Sequence, residues 1–92
     1  MRNYIWETPE EITQSVAENV KMIRKRKGMS QQELSVKSGV SYGSIKRFET
    51  TGNISLISLT KIALALDAVN GVKTLFTDVP YQSIEEVIHE QK

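Results

Sequence analysis

The chain has 92 residues, 39% of them apolar, with 12 basic and 11 acidic side chains and a net charge of +1. That length and apolar share fit one folded domain, residues 1–92, with a modest core, and exclude a generally disordered chain. There is no cysteine, which excludes disulfide frameworks, thiolate zinc sites and cysteine nucleophiles.

Residues 1–7 precede the first predicted helix. Tyr4, Ile5 and Trp6 form a short apolar arm, expected to be extended and to pack on the body or on a second subunit. Thr8-Pro9-Glu10-Glu11 is a helix start, with Thr8 as N-cap, Pro9 in the first helical position and Glu11 completing a capping box. Ile12, Val16, Val20 and Ile23 follow at helical spacing and predict one buried stripe. Gly28 ends this helix after a basic last turn, Lys25 to Lys27, which also suits the helix dipole.

Ser30 and Glu33 form a second capping box and open a short helix whose main inward residue is Leu34. Gly39 follows its last turn, where a left-handed backbone costs glycine little. Val40 is expected in the core, and Ser41 caps a third helix over 41–50. Spacing by three and four puts Ile45, Phe48 and Glu49 on one face of that helix and Tyr42, Gly43, Lys46 and Arg47 on another.

Ser55 caps a fourth helix with the stripe Leu56, Leu59, Ile62, Ala63 and Leu66. Asn70-Gly71 reads as a turn, and Val72, Leu75 and Phe76 as a short fifth helix. After Pro80, Ser83-Ile84-Glu85-Glu86 is a third capping box, opening a short acidic helix with Ile84, Val87 and Ile88 inward. The prediction is all-α, with five or six helices and a short extended N-terminal arm.

Charge is segregated along the chain. Residues 21–47 hold eight basic side chains and one acid, Glu33, a local excess of +7 that leaves −6 for the remainder. A basic face on an acidic body is the expected footprint of a nucleic-acid binder. Catalysis would have to use the one histidine, His89, close to the C-terminus; no metal-ligand cluster, glycine-rich phosphate loop or nucleophile beside a base stands in the sequence. The reading is therefore not an enzyme, with no cofactor and no metal. The first residues, Met-Arg-Asn-Tyr-Ile-Trp-Glu, lack the apolar stretch of a signal peptide, and the longest apolar run, Ile62 to Leu66, is far too short to span a bilayer. The expectation is a cytoplasmic protein without membrane contact.

Residues 16–66 resemble the Xre/Cro/phage-repressor (lambda repressor-like) helix-turn-helix class. The resemblance is carried by Arg24…Gly28-Met29-Ser30-Gln31…Leu34…Gly39-Val40-Ser41…Ile45…Glu49, then Leu59…Ala63 and Leu66. Ser35 departs from the alanine usual in the class, and Gly52 stands one place later than the commonest pattern. Thr8-Pro9-Glu10, the run Arg47 to Leu56, and Leu75-Phe76 look like a narrower branch, the HipB-like antitoxins, which often sit beside a HipA-like kinase toxin.

This resemblance implies a bacterial or phage-encoded, nucleoid-associated transcription regulator, most simply a repressor, whose third helix enters the major groove of double-stranded DNA. Tyr42, Gly43, Ser44 and Arg47 then face the bases. Arg47 is the best direct reader, since its fork can bond guanine O6 and N7 together. Tyr42 would pack on a thymine methyl or bond a phosphate, and Gly43 leaves a base unread. Lys46, Gln31, Lys37 and Lys27 are the phosphate contacts. Arg24 and Glu49 are implied to be a partly buried ion pair tying the first helix to the third. One such unit reads a short site, so a homodimer on a palindromic operator is expected, with residues 67–92, and the Tyr4-Ile5-Trp6 arm, as the dimer surface. Leu75, Phe76, Tyr81, Ile84 and Ile88 fit that role or closure of the chain's own core equally well. The alternative function is an antitoxin that also neutralises a HipA-like kinase toxin.

Overall fold

Four hydroxyl side chains set where the backbone turns helical. The computed structural model describes residues 7–78, which form α1 (Pro9–Arg26), α2 (Gln31–Ser38), α3 (Tyr42–Thr51), α4 (Leu56–Ala65) and α5 (Asn70–Lys73), with no strand among them. Thr8, Ser30, Ser41 and Ser55 are extended, and each accepts a bond from the backbone N–H three residues on, satisfying a donor that the helix cannot. In α1 and α2 the box is reciprocal: Glu11 accepts from the Thr8 N–H at 2.9 Å and Glu33 from the Ser30 N–H at 2.8 Å. The bonds from the Ser30 backbone and hydroxyl hold the Glu33 carboxyl below its ordinary value.

The helix ends are equally well determined. After α1 the Met29 N–H bonds to the Arg24 carbonyl and the Gly28 N–H to that of Lys25, the two bonds of a Schellman turn. After α4 the same pair joins Ala68 to Ala63 and Asp67 to Leu64, with Asp67 in the left-handed conformation at φ 58°. Helices α2 and α3 stop at Gly39 and Gly52, both left-handed.

Packing puts the core beneath the inner face of α3. Ala17 of α1, Leu34 of α2, Ile45 and Phe48 of α3, and Ile62 and Leu66 beside them are fully buried. Helix α1 lies along α3, α2 packs on both α3 and α4, and α5 leans on α4. Gly52 makes the α1–α3 contact possible. A Cβ there would stand 2.8 Å from the backbone of Thr13 and Gln14, well inside van der Waals contact.

Several sequence expectations change. The α1 stripe is not buried throughout: Val20 and Ile23 are half-buried, but Ile12 is 48% and Val16 41% exposed. Leu56 likewise stands 63% exposed at the start of α4. Periodicity finds an apolar face, but no described segment covers its first half. Ala17, absent from that stripe, is the α1 residue buried completely, because a methyl group fits where α1 approaches closely. Asn70-Gly71 opens α5 instead of forming a turn, and α5 ends at Lys73. Leu75 and Phe76 therefore lie past the helix, Phe76 left-handed at φ 62° and 91% exposed. The Tyr4-Ile5-Trp6 arm and the helix expected from Ser83 lie outside the described residues.

Candidate nucleic-acid interface

Helix α3 presents two unlike faces. Ile45, Phe48 and Glu49 are buried, while Tyr42, Gly43, Ser44, Lys46 and Arg47 are exposed, as the sequence spacing requires. Ser41 fixes the start of this helix: its hydroxyl accepts from the Ser44 N–H at 3.1 Å and donates to the Ser44 hydroxyl at 2.8 Å. The Ser44 hydroxyl keeps its own proton for an outside acceptor. Lys46 Nζ lies 4.4 Å from the centroid of the Tyr42 ring, a cation–π contact one turn along the helix that holds the ammonium against the exposed face. Thr50 and Thr51 fold their hydroxyls back onto the carbonyls of Lys46 and Arg47, at 2.8 and 2.7 Å, and so have no hydroxyl proton left to donate outward from the last turn.

Arg47 and Ser44 also line a depression of about 310 Å³ shared with Asn53, Ile54, Ser55 and Ser58. Sequence reading passed over Asn53 and Ser58. They are short polar residues beside a helix cap, a pattern that caps and turns also produce. Only the fold brings them alongside Arg47. Lys27 stands at the end of α1 and Lys37 in the last turn of α2; both are exposed, and neither lines this depression.

The inner face of α3 is held by a polar network centred on Glu49. Arg24 Nε donates to Glu49 Oε2 at 2.7 Å and Arg24 Nη2 to Oε1 at 2.9 Å, a two-point pair whose geometry lysine could not reproduce. Both residues are 7% exposed. Arg24 Nη1 donates to the Met29 carbonyl at 2.6 Å, so one guanidinium ties α3 to α1 and also to the turn leading into α2. Gln31 Nε2 donates to Glu49 Oε1 at 2.8 Å, and Gln14 Nε2 to the Glu49 carbonyl at 3.3 Å. Burial pushes the Glu49 carboxyl up, but the bonds from Arg24 and Gln31 and the charges of Arg24 and Lys21 outweigh it and leave it below its ordinary value. No side-chain polar atom buried in the described residues lacks a partner.

Two of these contacts bear on sequence expectations. Gln31 bridges inward to Glu49, which leaves one amide N–H free at the head of α2. Ser35, the departure from alanine, donates its hydroxyl to the Val40 carbonyl at 2.7 Å, while the Ser38 hydroxyl accepts from the Val40 N–H at 3.1 Å. Serine is thus more than a small stand-in: it braces the turn between α2 and α3.

Two consecutive helices joined by a three-residue turn at Gly39, the second basic outside and apolar inside, form a helix-turn-helix. A helix-turn-helix family model matches residues 20–71, more than half of the chain. The chain belongs to the Xre/lambda repressor-like helix-turn-helix family. It is accordingly a DNA-binding transcription regulator, all-α, with double-stranded DNA as its partner. No curated protein and no solved structure matches the chain. No helix among the described residues is long and apolar enough to cross a membrane.

Proposed function

We propose that this helix-turn-helix protein is a repressor that occupies a palindromic operator as a homodimer, each copy laying α3 in the major groove. The observation that carries the reading is the outer face of α3. Arg47 and Lys46 are cations there without a carboxylate partner among the described residues, whose one ion pair is Arg24–Glu49. Arg47 reads a base, with guanine the best match to its fork. Tyr42 and Ser44 meet neighbouring base edges, and Gly43 leaves a gap over one of them.

Lys46, the free amide proton of Gln31, Lys37 and Lys27 bind phosphates and set register. Each phosphate neutralised steepens the fall of affinity with salt by roughly 0.9 in log–log slope. Arg24 and Glu49 work from behind, holding α3 at a fixed angle to α1. Two copies with half-sites about 34–36 Å apart place both recognition helices on one side of the duplex. Exposed Ile57 and Leu64, seven residues apart on α4 and so on one stripe, support a protein-facing surface on that helix.

Selection of binding sites from random duplexes at about physiological salt tests the reading. An inverted-repeat motif is expected; a single half-site motif removes the dimer, and no motif removes specific DNA reading. The same exposed stripe on α4 supports a second role, a HipB-like antitoxin holding a HipA-like kinase toxin. Co-purification with the product of a neighbouring kinase-like gene tests that role, and a genome position without such a neighbour counts against it.

A further inference from the structure

An apolar groove of about 630 Å³ runs between α1, α4 and α5. Ile12 and Val16 of α1, Leu56 and Leu59 of α4, and Leu75 and Phe76 after α5 all line it. Phe48 and Gly52 of α3 lie along it too, so whatever fills the groove touches the recognition helix from behind. Ile12, Val16, Leu56, Leu75 and Phe76 are all exposed, a contiguous apolar surface that a folded protein normally covers.

The chain itself supplies a matching segment. The described residues end at Asp78, two past Phe76, which lines the groove, and 14 more residues follow. In that stretch Ile84, Val87 and Ile88 recur at helical spacing behind the Ser83–Glu86 capping box, while Glu85, Glu86 and Glu90 fall on the other side of the helical wheel. A helix over 83–90 would be roughly 12 Å long, and the link from residue 78 to residue 83 spans at most about 17 Å. A link that short holds the segment beside the groove at an effective concentration in the millimolar range, which favours the chain's own segment over a second copy's.

We propose that residues 79–92 close this groove on the same chain, seating Ile84, Val87 and Ile88 over the walls formed by Ile12 and Val16 of α1 and Leu59 of α4. The segment completes the core and stiffens the support of α3 at Phe48 and Gly52. The inference stands independently of the DNA reading.

The test is nuclear Overhauser spectroscopy on the full chain, with carbon-13-labelled methyls and a second sample mixing labelled and unlabelled protein. Expected are contacts from the Ile84, Val87 and Ile88 methyls to those of Val16 and Leu59, present in the uniform sample and absent between the two chain populations. Contacts only between different chains would assign the groove to a second copy, and contacts from the Trp6 ring would assign it to the N-terminal residues. Either result overturns the proposal, as does the absence of contacts. The double variant Ile84→Asp/Ile88→Asp should melt at least about 4–8 °C below wild type, whereas Glu90→Ala should melt as wild type does; an unchanged double variant contradicts the proposal.

Discussion

The two faces of α3 divide the labour of the molecule. On the inner face every polar group is engaged: Glu49 takes bonds from Arg24 and Gln31, and its carbonyl takes one from Gln14. On the outer face the charges of Lys46 and Arg47 find no carboxylate among the described residues. The inner face gives up water and must recover the loss through geometry. The outer face keeps its water until DNA displaces it. Substitutions should therefore separate cleanly, inner ones moving stability and outer ones moving affinity.

The largest effect is expected at the buried pair. Arg24→Ala leaves the Glu49 carboxylate buried without its two-point partner and should cost on the order of 3–5 kcal/mol of stability, with DNA affinity falling as a consequence. Thermal melting checks this, and an unchanged melting temperature breaks the inner half of the comparison. The pair also leaves a pH signature. The native carboxyl of Glu49 lies below its ordinary value, so the folded state binds fewer protons than the unfolded one. Its contribution is present above the unfolded carboxyl value, about 4.3, and is lost as pH falls through the depressed native one. In Arg24→Ala burial acts with less opposition, and acid unfolding should move to higher pH.

Gly52→Ala comes next. The added methyl meets the α1 backbone at 2.8 Å, and φ is 82°, so overpacking and a left-handed alanine together should cost roughly 2–4 kcal/mol. Chemical denaturation measures it. A neutral result would mean that α1 and α3 can separate freely, contrary to the joint described above.

Truncating the outer side chains Lys46 and Arg47 should leave melting alone. Arg47→Ala should lose about 1–3 kcal/mol of binding to the preferred site. Lys46→Ala should weaken all sequences alike and reduce the salt slope by roughly 0.9; titrations at several salt concentrations distinguish the two. The smallest effect belongs to Gly43, where a Cβ meets nothing within 4 Å. Gly43→Ala should raise stability by up to about 1 kcal/mol through helix propensity, and any loss of affinity must then come from the DNA side.

What could be read from the sequence follows the range over which each rule acts. The caps at Thr8, Ser30, Ser41 and Ser55 and the two faces of α3 were legible because capping and helical spacing act within three or four residues. The Arg24–Glu49 pair came through the family resemblance, not through spacing. The bonds from Gln14 and Gln31 to Glu49 span 35 and 18 residues, and a glutamine in a first or second helical turn looks the same whether it bridges inward or faces water. Gly52 stood out only as a glycine one place late, because its close approach to α1 depends on how two helices cross. The α1 stripe was correctly apolar and wrongly buried, since periodicity identifies a face without saying what covers it. Ser35 registered only as a departure from alanine, because its bond to the Val40 carbonyl exists only once the turn has formed.

The most direct test of the central claim runs wild type and Arg47→Ala side by side through selection from random duplexes at about physiological salt, with melting curves on both. The account predicts an inverted-repeat motif for wild type, the same motif with one position relaxed in each half-site for Arg47→Ala, and equal melting temperatures. An identical motif from the variant, or a variant that loses its motif only because it has unfolded, would contradict the assignment of sequence reading to the outer face of α3.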